Sequence, residues 1–329
     1  MRLITVTALA ALAASTTIAR AAEVEWKFYT YFAANDKPTL LHKAFAEDIS
    51  KASGGRFKIN VFASGELPYK AADVLRIVAQ NQVEMGDVAF GFVAGDVPAL
   101  NALSMPFSCT SMDKFYDKVA PAIAPAIDEE LGKRFKVHSA MQWVMPPQQL
   151  WLTKPVETLD AFKNLKARSW NREQSEMMRL LGGSGVSITP AEVIPALQRK
   201  VVDGAFTAAV PALDWKFNEV TPYALMLNLT LAHQIVAVNQ AALDKLPADL
   251  KQLLQAKSQE WVGRYRTELI QADKDARKTL ADKGVKLREI NAAETTQLQQ
   301  TVKPIWQEWT DKNGAPAKAM LDAAVTACN

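Results

Sequence analysis

Histidine and cysteine are scarce in this 329-residue chain, which holds three histidines (His42, His138, His233) and two cysteines (Cys109, Cys328). The histidines stand in no H-E-x-x-H arrangement or other zinc-ligand spacing, and the cysteines lack the spacing of a metal or redox pair. "GGSGVS" fails as a nucleophile elbow because Val186 takes the place of its last glycine. No phosphate loop and no dinucleotide fingerprint occurs. Carboxylates are many but scattered along charged helical faces, where solvation is their ordinary role. These absences argue against catalysis and imply no cofactor. Basic runs with interleaved aromatics are missing too, and a formal net charge of +3 lacks the concentrated basic face of a nucleic-acid binder.

What is present begins at the N-terminus. "MRLITVTALAALAASTTIARAAE" has a basic start, an apolar run from Leu3 to Ile18 and small residues at Ala19, Ala21 and Ala22. That layout predicts a secretory signal peptide over 1–22, cleaved on export to the periplasm. The alternative, a membrane anchor, would need about 20 apolar residues. In an oxidising compartment Cys109 and Cys328 either form a bridge that ties down the end of the chain or remain two unrelated thiols.

The body of the chain alternates strands and helices. "VEWKFYTYF", "PTLLHKAFAEDISKAS", "GGRFKINVF", "YKAADVLRIVAQNQ" and "VEMGDVAFGF" read in the order β-α-β-α-β, an α/β unit with a largely parallel sheet. Pro146 and Pro147 mark a break, and a second α/β unit follows. From Ala248 to Lys283 a three-to-four-residue apolar stripe predicts one helix, about 50 Å long, that lies across both units. The expected fold class is α/β with two lobes, each a mixed sheet flanked by helices. Lobe I takes 23–147 plus about 236–265, lobe II takes 148–235 plus about 266–329, and a ligand cleft lies between them. The last strand and helix read as returning the chain to lobe II.

One charge sits oddly. In "NLKARSWN", Arg168 lies on a strand that reads as buried, yet a guanidinium is always charged and is rarely buried without a partner. Its spacing leaves two possibilities. Glu173 or Asp203 could close an internal salt bridge, or a ligand carboxylate could take the two parallel hydrogen bonds that a planar guanidinium offers.

Five segments in order carry a resemblance: "KASGGRFKINVFASGELPYKAADVLRIVAQNQVEMGDVA", "LSMPF", "LDAFKNLKAR", "PAEVIPALQRKVVDGAF" and "VNQAALDKLPADLKQLL". Together they resemble the periplasmic solute-binding proteins of tripartite ATP-independent periplasmic (TRAP) transporters, of the DctP type. The resemblance implies two hinged lobes and a helix spanning both. It implies delivery of an organic acid to the permease's membrane subunits by a protein that is monomeric or dimeric. It also implies that Arg168 grips the ligand's carboxylate.

The sequence departs from that family at two places. Where many members carry a second arginine, Gln148 stands; after Val-Asp-Gly the run is Ala205, Phe206, Thr207, Ala208. One cation and one amide are thus missing, which favours an aromatic or hydrophobic monocarboxylate over a C4-dicarboxylate. Gln148, Asn171, Thr207 and Ala208 are the expected secondary contacts beside Arg168. Tyr31, Phe90, Phe92 and Trp170 are the expected walls. His233 is either a ligand contact or a satisfied core group. Ligand presentation to a sensor kinase remains a further role such lobes could serve.

Overall fold

The computed structural model describes residues 24–328; the expected signal segment 1–22 lies outside them. The first lobe opens with β1 (Val24–Tyr29), α1 (Lys37–Ala52) and β2 (Phe57–Phe62). Helix α1 has Pro38 in its first turn, where a missing N–H costs nothing. It buries Leu41, Phe45 and Ile49 on one face and ends at Gly54 and Gly55, whose φ values of 62° and 79° suit glycine. Next come α2 (Val74–Ala79) and β3 (Met85–Ala89). A short α3 (Met112–Lys114) runs through a π turn into α4 (Ala120–Phe135), and β4 (Val137–Met145) follows.

The chain then crosses to the second lobe. There it forms β5 (Gln149–Leu152), β6 (Lys166–Ser169), α5 (Arg172–Leu180) and β7 (Ser184–Ser187). These are followed by α6 (Pro190–Gln198), β8 (Gly204–Thr207), α7 (Ala209–Asp214) and β9 (Tyr223–Met226). A second crossing leads to β10 (Ala232–Asn239) and α8 (Gln240–Lys245), and the long α9 (Ala248–Asp282) comes next. Strand β11 (Lys286–Glu289) and α10 (Ala292–Cys328) close the chain.

Two mixed sheets result, ordered β2-β1-β3-β10-β4 and β11-β9-β5-β8-β6-β7. Strand β10 inserts antiparallel between β3 and β4. All eight of its residues are buried, so the polar His233, Gln234 and Asn239 are packed inside alongside Ile235, Val236 and Val238. The β4–β5 and β9–β10 crossings run side by side. Gln148 N donates to Thr230 O and Leu229 N to Gln148 O, both at 2.9 Å. The Gln149 amide donates to Asn228 Oδ1 at 2.8 Å and accepts from Asn228 N at 2.9 Å. Helix α9 is the third connection. Its buried stripe of Leu250, Leu254, Trp261, Tyr265, Leu269, Ala276 and Leu280 packs on α1 and β4 in the first lobe and on α7 in the second.

The end of the chain differs from the sequence expectation. After β11 joins β9 in the second sheet, α10 runs back over first-lobe elements. It packs on the 3₁₀ segment Pro98–Ser104, the π turn and α4, and it also touches α5. A break at Gly314 (φ 76°) redirects it, and a disulfide joins Cys328 to Cys109. Residues 292–328 therefore straddle both lobes and are fastened to the first. No helix among the described residues is long and apolar enough to cross a membrane.

Candidate ligand-binding site

Strands β1, β3, β6 and β8 all point their carboxyl ends at the gap between the lobes, the usual place for a site in an open α/β sheet. A cavity lies there, with about 40 Å³ open to the centre of a water molecule. Tyr31 and Phe32 reach it from the end of β1, Phe92 from the turn after β3, and Met145 from the end of β4. Gln148 comes from the first crossing, and Ala232 and Gln234 come from β10. The second lobe contributes Arg168 and Trp170 from β6 and the turn after it, Pro190 from α6, and Thr207, Ala208, Pro211 and Trp215 around α7.

Arg168 is 2% exposed. Its Nε donates to Ile188 O at 2.8 Å and Nη1 to Phe206 O at 2.7 Å. These carbonyls fix the plane of the guanidinium, and Nη2 has no hydrogen bond to any described residue. The internal salt bridge is absent among the described residues. Asp203 instead accepts from Lys166 N at 2.9 Å and lies 3.5 Å from Lys154 Nζ. Glu173 instead accepts from Asn101 Nδ2 at 3.1 Å. Burial lowers the Arg168 pKa to about 10, and the facing Tyr31 hydroxyl pulls the other way. The side chain stays charged at any physiological pH. Tyr31 is pushed well up, first by burial and then by Asp87, so it remains a neutral donor. Its hydroxyl donates to Gln234 Oε1 at 2.7 Å.

Helix α5 sets the other side. Asn171 caps it, Oδ1 accepting from Gln174 N at 2.9 Å, a bond of the kind that holds many helix starts. That turn aims Gln174, whose Nε2 donates to Gln148 Oε1 at 2.6 Å. Trp170 folds across the gap onto the first lobe. Its ring meets Phe92 edge-on at 5.5 Å. A Cβ at Gly91 would lie 2.1 Å from its Cζ3, so only glycine permits this approach. At the rim, Trp215 Nε1 donates to Asp36 Oδ2 at 3.2 Å, again bridging the lobes.

Of the residues expected from the sequence, Tyr31, Phe92, Gln148, Arg168, Trp170, Thr207 and Ala208 come together around the cavity. Three do not. Phe90 is fully buried and stacks edge-on against His233 at 4.8 Å. His233 also packs on Phe115 at 5.2 Å, and its Nε2 is 2.9 Å from Gln142 Oε1. Burial lowers its pKa to about 3, so the ring is neutral. Asn171 serves as a helix cap. The physical reason for the first two is strand period: Gln234 and His233 are successive residues on β10 and face opposite sides. Of the two possibilities the sequence left for His233, the structure gives the core one; the sequence pointed to neither Gln234 nor Trp215, whose exit from α7 no motif marks.

A family model, bacterial extracellular solute-binding protein, family 7, matches residues 30–313. The sialic acid-binding periplasmic protein SiaP of Vibrio cholerae is 21% identical over 283 residues, which cover 85% of this chain and 87% of that protein. The crystal structure of DctP6, a Bordetella pertussis extracytoplasmic solute receptor binding pyroglutamic acid, superposes with a TM-score of 0.86. It is 24% identical and covers 92% of this chain and 99% of that one. A TRAP periplasmic solute-binding protein of Chromohalobacter salexigens with bound D-glucuronate gives a TM-score of 0.83 at 19% identity, covering 92% and 99%. The chain belongs to the DctP family, bacterial extracellular solute-binding protein family 7, and is a periplasmic receptor of a TRAP transporter and not an enzyme.

Proposed function

We propose that the cleft captures a small monocarboxylate with a largely apolar body, holds its acid on Arg168, and passes it to a TRAP permease. One observation carries the reading: Arg168 is buried at the junction of the lobes with two carbonyl partners and no carboxylate among the described residues. A buried cation without a counter-charge is costly, and a ligand carboxylate would supply the charge. The relatives named above bind sialic acid, pyroglutamate and glucuronate, and all three are carboxylic acids. The lining supports a single acid. Arg168 is its one cation among the described residues, and Phe32, Phe92, Met145, Trp170, Pro211 and Trp215 supply apolar wall. Gln148 offers a neutral amide where a second acid would want an arginine. An aromatic or hydrophobic acid of modest size fits these walls better than a C4-dicarboxylate.

A thermal-shift panel of keto acids, aromatic acids, lactam acids, C4-dicarboxylates and sugar acids tests this. A ligand at 100 times its Kd should stabilise the protein by about 2.7 kcal/mol. A compact monocarboxylate should give the largest shift, and the shift should fall sharply in Arg168→Lys. Selective stabilisation by succinate or malate would overturn the reading.

A further inference from the structure

Beyond the carboxylate, the cavity shows a bias in its neutral polar groups. Gln234 is fully buried, and Tyr31 already occupies its Oε1. Its Nε2 is buried without a partner among the described residues. Gln148 is arranged alike, with Gln174 donating to its Oε1, so its amide nitrogen is the end left to offer. Trp170 is 4% exposed, and its Nε1 is buried without a partner. All three residues line the cavity, and no aspartate or glutamate does among the described residues.

The second-sphere bonds thus turn two ambivalent amides into oriented donors. An indole N–H, which can only donate, stands with them. We infer that the site contains a second subsite, built from Gln234 with Trp170 and Gln148, that requires a hydrogen-bond acceptor on the ligand. The matching chemistry is a carbonyl or hydroxyl oxygen close to the acid, as in a 2-oxo acid or a lactam acid. A free ammonium is refused. It would bring two or three donors to a subsite of donors, beside the Arg168 cation and with no carboxylate among the described lining residues to neutralise it. An unadorned hydrocarbon acid would leave the buried donors unpaired. Gln234 is the specificity-determining residue, and Tyr31 is the positioning residue that keeps its amide turned. This inference rests on the reading that Arg168 holds a carboxylate.

Two matched series test it by calorimetry on the purified mature protein. Pyroglutamate, proline and cyclopentanecarboxylate share one ring. 4-Methyl-2-oxopentanoate, leucine and 4-methylpentanoate share one branched chain. In at least one series the acceptor-bearing acid should bind about tenfold or more tighter than its bare partner, and the amino acid should not bind measurably. Gln234→Leu should narrow that ratio to within about threefold, the mark of a lost donor and not of a lost wall. Tyr31→Phe, which frees the amide to turn, should narrow it as well and serves if Gln234→Leu does not fold. Bare acids binding as tightly as their partners, an amino acid binding as tightly as either, or an unchanged ratio in both variants would sink the donor subsite while leaving the carboxylate reading standing. If no acid of either series binds, the compact-carboxylate reading fails and this inference falls with it.

Discussion

At the scale of single residues, Arg168 on β6 and His233 on β10 show how the two sheets handle a buried titratable group in opposite ways. Arg168 is kept charged, with two backbone carbonyls locking its fork. Lysine keeps the charge but not the fork, so Arg168→Lys should weaken ligand affinity by about 10- to 100-fold. The melting temperature of the ligand-free protein should change far less, and calorimetry beside thermal denaturation checks both. His233 is kept neutral. Its folded pKa of about 3 lies below the ordinary imidazole value of 6.5, so the unfolded chain takes up a proton that the folded one refuses. Its contribution to stability is full above pH 6.5 and is lost as the pH falls toward 3. Relative to His233→Gln, the wild type should therefore lose up to about 1.4 kcal/mol per pH unit between pH 6 and 4. Denaturant titrations that run parallel for the two proteins would contradict this. The neutral core role of His233, the inward turn of Phe90 and the part of Gln234 share one origin. Composition shows that a polar residue sits in a strand, but the strand's phase decides which face it serves, and that phase is set by pairing with β3 and β4.

At the scale of elements, local pattern and distant contact part company. The apolar stripe of α9 was legible from Leu250 to Leu280, and the helix runs Ala248–Asp282. The segment "PTLLHKAFAEDISKAS" likewise read as a helix, and α1 runs Lys37–Ala52. The course of α10 was not legible, because its destination depends on which first-lobe helices it meets and on a bond to Cys109, 219 positions away. Closing so long a loop constrains the unfolded chain and should contribute on the order of 3–5 kcal/mol. The double variant Cys109→Ser, Cys328→Ser should lower the melting temperature by several degrees and raise hydrogen exchange after the break at Gly314. Because the disulfide lies away from the cavity-lining residues, ligand affinity should stay within about threefold. Unchanged exchange in residues 315–328 would show that packing alone holds that segment.

At the scale of the whole molecule, the lobes touch each other beside the cavity in which the ligand would lie. Trp170 over Gly91 and Trp215 on Asp36 join one lobe to the other at the cavity, and Lys37 N on Asp214 Oδ2 at 3.2 Å joins them farther out. Such contacts act after encounter, on how long the lobes stay shut. Trp215→Phe keeps the wall and removes the hydrogen bond. It should raise the ligand dissociation rate by about three- to tenfold, with little change in the association rate, in stopped-flow fluorescence. The two-lobed α/β plan was readable from the order of strands and helices. The partner of Arg168 was not, because spacing in a sequence allowed an internal carboxylate as readily as an external one. The most direct test is therefore a crystal structure with the acid that gives the largest thermal shift. The account predicts a carboxylate oxygen within about 3.2 Å of the Arg168 guanidinium, with Ile188 O and Phe206 O still bound on the guanidinium's other nitrogens. A ligand seated in the cleft with its acid on Gln148 and Gln234, and Arg168 bonded to the two carbonyls alone, would contradict it.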